Sequence, residues 1–272
     1  MKSIVAFIRR FVKDDPDSRL VVPSQRLYCE HDFQAYVIRH RVMTSQEPFH
    51  SDRSLTAQIK LYYDLQTPSL TPAPLLVALH GYGANKRQMM REARQMVPPG
   101  FAIATLQGFH QHMKEPKEPG GPLRFGFGWL TNFQPEESVA THHKAVNDLI
   151  DALVAEKVAD PQQLFLLGFS QSCALNYRFA FTHVDVLRGV IGICGGLPGD
   201  WQTNESYKPT DAAVFHLAGN QDEFYTPERV SDYAAQLRMR ASDVTFKTYE
   251  GGHEFVPEMR GDIRAWLEHN AA

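Results

Sequence analysis

Short, continuous apolar segments alternate with amphipathic segments along most of the chain. The segment 75–79 contains no polar residue, which is typical of a strand buried on both faces. Similar strands are predicted at 102–106, 164–167, 190–194, 214–218 and 244–249, and helical patterns lie between them at about 86–97, 138–157, 171–182, 226–240 and 262–269. This alternation predicts an α/β fold with a mostly parallel central sheet and helices on both faces.

The first 70 residues follow a different pattern. Apolar residues between positions 4 and 12 fall on one face of a predicted amphipathic helix, which is too short for a membrane span or a signal peptide. We expect this helix to pack on its own domain; contact with a membrane or with a second subunit of a homodimer is the alternative. Alternating residues predict a strand over 55–63 and another at 36–42. Residues 1–70 should therefore form a β-rich extension of a core that spans 71–272.

Composition narrows the class of protein. A chain of 272 residues is long enough for one sizeable α/β domain. A net charge of −3 creates no field that would attract nucleic acid, so no nucleic-acid partner is expected. The three cysteines have no CxxC spacing, which argues against a disulfide framework and favours a reducing, cytoplasmic location.

A serine lies between a predicted buried strand and a predicted helix, in the segment Gly168-Phe169-Ser170-Gln171-Ser172. Strand, sharp turn and helix are the setting of a nucleophile elbow, which raises a serine hydroxyl above the sheet. We therefore predict that Ser170 is a nucleophile. Ser172 stands where the motif usually has its last glycine, and serine is small enough to fit. The alternative is a tight turn whose serine only caps the helix.

A serine hydroxyl needs a base, and His253 is the best candidate among twelve histidines. It follows the last predicted strand after Gly251 and Gly252, which allow a tight loop toward the nucleophile. Asp222 follows the strand 214–218 and is predicted to orient His253. The resulting order of serine, aspartate and histidine along the chain is the order that α/β-hydrolases use.

Other acids and histidines receive different interpretations. Glu223 is the main competitor of Asp222, whereas Asp200 and Asp211 have no apolar strand before them. The HxH pair at 110 and 112 has no evident third ligand, so no metal is expected. The histidines at 142 and 143 lie near the start of a predicted helix and are expected to be solvated.

Backbone amides should stabilise the oxyanion that forms during acyl transfer. The first is the N–H of Gln171, directly after the nucleophile. The second is predicted to be the N–H of Tyr82, in the segment Leu79-His80-Gly81-Tyr82-Gly83, where the glycines let the backbone turn inward. The alternative is a glycine-rich connection without a ligand.

The segment 107–135 is rich in proline, glycine and aromatic residues, and a loop of this length is usually functional. Phe125, Phe127 and Trp129 could wall the pocket for the acyl or alcohol part of a substrate. A hydrophobic cluster that ties the loop to the domain is the alternative explanation of these side chains.

Together these motifs resemble the phospholipase/carboxylesterase group of α/β-hydrolases, which includes acyl-protein thioesterases, over about residues 72–270. The resemblance implies a serine esterase that needs no cofactor and acts on small or medium acyl esters, lysophospholipids or acyl thioesters. The chain departs from the group at Ser172-Cys173, where small glycines are typical, at Asn85 in the oxyanion loop, and in the length of residues 1–70.

The sequence thus predicts a serine carboxylesterase that hydrolyses small-molecule esters through a Ser-His-Asp triad and an acyl-enzyme. An acyl thioesterase or lysophospholipase is the first alternative. A binding protein on an inactive hydrolase scaffold is the second, but it predicts a broken triad, and all three positions are filled. A cysteine hydrolase is disfavoured because serine occupies the nucleophile position and Cys173 lies beyond it.

Overall fold

Seven strands form the central sheet within the residues that the computed structural model describes, which are 51, 53–116 and 118–272. The predicted N-terminal helix, the candidate strand at 36–42 and Cys29 lie outside the described residues. In chain order the strands are β1 (Tyr63–Gln66), β2 (Ala73–Leu79), β3 (Ala102–Leu106), β4 (His110–Lys114), β5 (Arg124–Gly128), β6 (Ala159–Phe169), β7 (Gly189–Ile193), β8 (Ala213–Gly219) and β9 (Val244–Tyr249).

The sheet is parallel except at one edge. Its strand order is β1-β3-β2-β6-β7-β8-β9, and only β1 runs antiparallel to its neighbour, β3. The strands β4 and β5 pair separately as an antiparallel hairpin. Because the other six sheet strands are parallel, their carboxyl ends lie at one edge of the sheet, where ligands bind in α/β proteins.

Helices cover both faces of the sheet. They are α1 (Lys86–Met96), α2 (Pro135–Ala155), α3 (Gln171–Thr182), α4 (Pro227–Val230), α5 (Tyr233–Arg238) and α6 (Pro257–Asn270). None of the helices in the described part of the chain combines the length and hydrophobicity that a membrane crossing requires.

The apolar run of β2 is explained by two separate cores. Leu75, Val77 and Leu79 belong to a core that includes residues of α2 and α3. Leu76 and Ala78 point to the other face, into a core that includes residues of α1 and α6. Since both faces of β2 are buried, every position of the strand is apolar, and the predicted mostly parallel, helix-covered sheet is confirmed.

Three predicted segments differ from the structure. Residues 55–62 have no regular secondary structure, and the strand begins only at Tyr63, where pairing with Leu106 at the end of β3 starts. The predicted loop 107–135 contains the β4–β5 hairpin, which lacks an apolar pattern because the only buried residues of its two strands are Gly126 and Gly128. The predicted helix 226–240 is divided into α4 and α5 at Ser231, whose hydroxyl donates to the Glu228 carbonyl and competes with the helical backbone.

Two helices begin earlier than predicted, for one shared reason. α2 begins at Pro135 and α6 at Pro257, and proline occupies the first turn in both. Proline is favourable there because its missing N–H would have no partner within the helix.

Candidate active site

The turn that carries Ser170 joins β6 to α3 and is strained. Ser170 has φ 57° and ψ −115°, a conformation that is rare for a residue with a side chain. The turn is tight on its inner side, because a Cβ at Gly168 would lie 2.8 Å from Asn176 Nδ2 and 3.0 Å from Cys173 N. Glycine is therefore required at the first position of the motif.

The structure brings Ser170, His253 and Asp222 together in one hydrogen-bonded line. His253 Nε2 lies 2.9 Å from Ser170 Oγ, and His253 Nδ1 lies 2.9 Å from Asp222 Oδ2. An ionised carboxylate can only accept, so Nδ1 carries the hydrogen and Nε2 is free to accept from the Ser170 hydroxyl. This is the arrangement in which an imidazole can remove a proton from a serine.

Asp222 is buried and remains ionised. Burial alone would raise the pKa of its carboxyl group, but the bonds it accepts lower that pKa below its usual value. The Tyr225 and Phe224 backbone N–H groups donate to Oδ1 at 2.9 and 2.8 Å, and His253 donates to Oδ2. The carboxylate can therefore hold the histidine tautomer and stabilise an imidazolium ion.

The competing acids lie elsewhere. Glu223 is exposed, and Asp222 is the acid that accepts the hydrogen bond from His253. Asp200 forms an ion pair with Arg178, 2.8 Å between Oδ1 and Nη2. Asp211 is exposed in the connection that leads into β8.

The backbone after β2 approaches Ser170 closely. Gly81 to Ala84 form a turn, and Gly83 takes a φ of +76° at the position of the turn that favours glycine. A Cβ at Gly81 would lie 3.1 Å from Ser170 Cβ and 2.9 Å from the Phe169 ring, so the turn passes directly beside the serine.

Both amides predicted to bind an oxyanion are without a protein acceptor. In the described part of the chain, neither the Tyr82 N–H nor the Gln171 N–H donates to a protein atom. Gln171 is the first residue of α3, where the helix dipole also favours a negative charge.

A buried histidine that the sequence analysis did not single out supports this turn. His80 Nε2 accepts from the Gly108 N–H at 3.0 Å, and His80 Nδ1 donates to the Gly81 carbonyl at 2.8 Å. Burial lowers the pKa of His80 to about 4, although the bond to Gly81 acts in the opposite direction. His80 is therefore neutral near pH 7 and serves as a fixed hydrogen-bonding group.

Trp129 and the side chain of Gln171 join the candidate nucleophile to the long segment 107–135. The Gln171 amide accepts from the Trp129 N–H at 2.8 Å and donates to the Leu130 carbonyl at 3.1 Å. Trp129 Nε1 donates to the His80 carbonyl at 2.8 Å. The ring of Trp129 is fully buried in the core, which matches the alternative explanation, a cluster that ties this segment to the domain.

The hairpin is hydrogen-bonded to the turn of residues 81–84, the proposed oxyanion turn. Gly83 N–H donates to the Phe127 carbonyl at 2.8 Å, Phe127 N–H donates to the Ala84 carbonyl at 3.2 Å, and Lys114 Nζ donates to the Gly83 carbonyl at 3.0 Å. Asn85, one of the departures from the family pattern, caps α1 by accepting from the Gln88 N–H. The hairpin therefore fixes the backbone that carries the Tyr82 N–H.

The cavity beside Ser170 has a volume of about 430 Å³ and a different lining from the predicted one. Its walls include Phe224 and Tyr225 from the loop after β8, Arg229 from α4, and Tyr82. Phe125, Phe127 and Trp129 are not among its lining residues, because Trp129 is buried and β5 pairs with the oxyanion turn. A larger cavity, about 620 Å³, is lined by Arg178 and Asp200 among others and contains no residue of the serine–histidine–aspartate line.

The prediction that His142 and His143 are solvated is wrong. His142 is fully buried, and His143 is partly buried and packs edge-on against Phe179. His142 shares one helical face with Val146 and Leu149, a spacing that the sequence contains. Its Nε2 bonds to Asn176 Oδ1 at 3.0 Å, and burial lowers its pKa to about 3.

The HxH pair and the cysteines have separate environments. His110 bonds to the Ser138 hydroxyl at 2.9 Å, whereas the ring of His112 stacks on Tyr82 with 4.6 Å between ring centroids.

Cys173 and Cys194 are buried free thiols, and burial raises the pKa of both, that of Cys194 to about 12. Neither thiol is thereby prepared to act as a thiolate nucleophile.

Comparisons with known proteins show the family to which this chain is similar. The model of the phospholipase/carboxylesterase family matches residues 62–271. Acyl-protein thioesterase 1 of Gibberella zeae is 28% identical over 205 residues, which cover 69% of this chain and 83% of that protein.

Solved structures show that the fold is that of the α/β-hydrolases. The Bacillus cereus carboxylesterase has a TM-score of 0.62 at 17% identity, with 77% of this chain and 94% of that chain covered. Zea mays acyl-protein thioesterase 2 has a TM-score of 0.56 at 20% identity, with 78% and 99% covered.

Proposed function

The chain belongs to the phospholipase/carboxylesterase family and is a serine hydrolase of esters; from this premise we propose that it is a carboxylesterase that uses Ser170, His253 and Asp222 as its catalytic triad. The proposal rests on one observation above all. The Ser170 hydroxyl, the His253 imidazole and the Asp222 carboxylate are joined by two hydrogen bonds of 2.9 Å.

In this mechanism His253 Nε2 removes the Ser170 proton while Ser170 Oγ attacks the carbonyl carbon of the ester. The Tyr82 and Gln171 N–H groups donate to the tetrahedral oxyanion. His253 then gives the proton to the leaving alkoxide, which leaves an acyl group on Ser170. Water, deprotonated by His253, attacks that acyl group and releases the acid by the same steps.

Substitution of the nucleophile tests the proposal. Ser170→Ala should lower kcat on a short series of 4-nitrophenyl esters by about 10⁶-fold, because the acyl-enzyme can no longer form. Ser206→Ala is the matched control, since Ser206 is exposed and its hydroxyl bonds only to Asn204. A fluorophosphonate probe should label the wild type at Ser170. An alanine variant that keeps most of its activity would contradict the assignment.

Acyl thioester hydrolysis is a second candidate, supported by the similarity to acyl-protein thioesterase 1 of Gibberella zeae. The same triad would serve, because a thiolate is a better leaving group than an alkoxide. Acetyl to palmitoyl esters and the corresponding thioesters separate the candidates. An esterase with a short acyl site should lose rate as the chain lengthens, whereas a rate that increases on long acyl thioesters would favour the thioesterase.

A further inference from the structure

The cavity beside Ser170 contains one permanently charged side chain. Arg229 is the only arginine or lysine among the described residues that line it, and the other walls include the aromatic rings of Tyr82, Phe224 and Tyr225. Tyr82 and Phe224 are 64% and 58% exposed, so these rings are open to a bound molecule. A cation beside aromatic walls suits a ligand with a flat apolar body and an anionic group.

The guanidinium of Arg229 is held in place from two sides. Its Cζ lies 4.6 Å from the centroid of the Tyr225 ring, and its Nη1 donates to the Phe224 carbonyl at 2.9 Å. Stacking and a backbone bond reduce the entropy that a long side chain loses when it binds a ligand. The remaining guanidinium donors have no protein acceptor within the described residues.

No acidic side chain in the described part of the chain neutralises this charge. The acids closest in sequence, Glu228, Asp232 and Glu223, are exposed, and none of their carboxylates lies within 4.0 Å of the guanidinium. Asp222 directs its oxygens to His253 and to two backbone N–H groups. The arginine therefore presents a net positive charge to the cavity.

The contacts of the loop after β8 indicate which part of the substrate this charge meets. The Phe224 ring centroid lies 4.9 Å from that of His253, and the Tyr225 centroid lies 6.0 Å from it. In the proposed mechanism His253 must reach the leaving oxygen or sulfur to protonate it. The group that departs is therefore adjacent to the residues that hold Arg229.

We propose that Arg229 is a specificity residue that binds an anionic group, such as a carboxylate, on the leaving alcohol or thiol of the substrate. This inference rests on the proposed function, because it assigns the leaving-group side from the role of His253. The preferred substrates are then acyl esters of alcohols or phenols that also carry an anionic group such as a carboxylate.

The test compares two acetate esters of phenols. In 4-acetoxybenzoate the leaving phenolate carries a carboxylate, and in methyl 4-acetoxybenzoate that carboxylate is replaced by a neutral methyl ester. The readout is the ratio of kcat/KM for the acid to that for the methyl ester, in wild type and variants. Arg229→Met should lower this ratio about tenfold, which corresponds to one lost charge-assisted bond. Arg229→Lys should retain part of it. Intrinsic reactivity differs between the two esters but is the same for every variant.

Arg91→Met is the matched control, because Arg91 is exposed on α1 and does not line the cavity. It should keep the wild-type ratio. Added salt should lower the ratio in wild type and leave it nearly constant in Arg229→Met. An unchanged ratio in Arg229→Met, or an equal fall in Arg91→Met, would overturn the inference.

A second pair of substrates tests the side of the cavity. 4-Nitrophenyl hemisuccinate and 4-nitrophenyl butyrate differ by a charge on the acyl part. If Arg229→Met changes the ratio of kcat/KM for this second pair and leaves the ratio for the first pair unchanged, Arg229 does not bind the leaving group. The proposed function fails separately, through a Ser170→Ala variant that retains activity. A ratio that Arg229→Met leaves unchanged, in a protein whose activity Ser170→Ala abolishes, defeats this inference alone.

Discussion

Ser172 Oγ lies 3.0 Å from the carbonyl oxygen of Leu79, at the point where β2 ends and the oxyanion turn begins. The same oxygen accepts a hydrogen bond from the Phe169 N–H at 3.0 Å. This fully buried hydroxyl thus joins the turn that carries Ser170 to the strand that leads to Tyr82. The serine that replaces the family's glycine connects the two halves of the proposed oxyanion hole.

Loss of this hydroxyl should affect both stability and rate. Ser172→Ala leaves the Phe169 N–H without its acceptor, which we expect to lower the free energy of unfolding by about 1–3 kcal/mol. The rate should fall as well, because the two amides lose their common support. Urea unfolding and kcat on 4-nitrophenyl acetate measure the two effects. Ser206→Ala is the control, and equal values for both variants would contradict the connecting role.

The carboxylate that orients His253 can be identified by amide substitutions. Asp222→Asn should lower kcat by about 10⁴-fold, because asparagine can donate to Nδ1 and so favours the wrong imidazole tautomer. Glu223→Gln is the control, since Glu223 is exposed and adjacent in sequence. Steady-state kinetics at pH 8 distinguish the two. A larger loss in Glu223→Gln than in Asp222→Asn would reverse the assignment.

A methyl group at Gly81 should disturb the proposed oxyanion hole. Its Cβ would lie 2.9 Å from the Phe169 ring and 3.1 Å from Ser170 Cβ, so the turn or the serine must shift. Misplacement of reacting groups by about 1 Å can cost about 10²-fold in rate, and we expect kcat to fall by that order in Gly81→Ala. Gly261→Ala is the control, because a Cβ there meets no atom within 4 Å. Comparable kcat for both variants would refute this expectation.

Buried histidines should make the protein sensitive to acid. Burial lowers the pKa of His142 and His216 to about 3, from the 6.5 expected in the unfolded chain. Between these values the unfolded state binds more protons, so the free energy of unfolding falls as the pH falls below 6.5. Each fully buried histidine contributes a slope of about 1.4 kcal/mol per pH unit in that range.

Urea unfolding between pH 7.5 and 5.0 measures this slope. His216→Phe removes one titrating group and should make the dependence on pH shallower, whatever its effect on stability at pH 7.5. His269→Gln is the control, because His269 is exposed at the end of α6. An unchanged slope in His216→Phe would show that His216 is not the source of the effect.

Local patterns carried most of the information about the fold. The apolar run of β2 predicted a doubly buried strand because both faces of that strand are covered. The helix at 171–182 was predicted with its observed bounds. The sequence did not predict the hairpin within 107–135, because its two strands show little apolar alternation. Backbone pairing between the strands forms the hairpin without that pattern.

The sequence by itself determined which residues stand at the carboxyl ends of the strands, and therefore that Ser170, Asp222 and His253 could meet, since parallel strands end at one edge of the sheet. Only the tertiary structure decided what surrounds them. His80, Trp129 and the Gln171 side chain support the oxyanion turn through contacts between residues distant in sequence. The cation beside the serine likewise comes from Arg229 in α4, whose position depends on how the preceding loop packs Phe224 against His253, and no local pattern encodes such a contact.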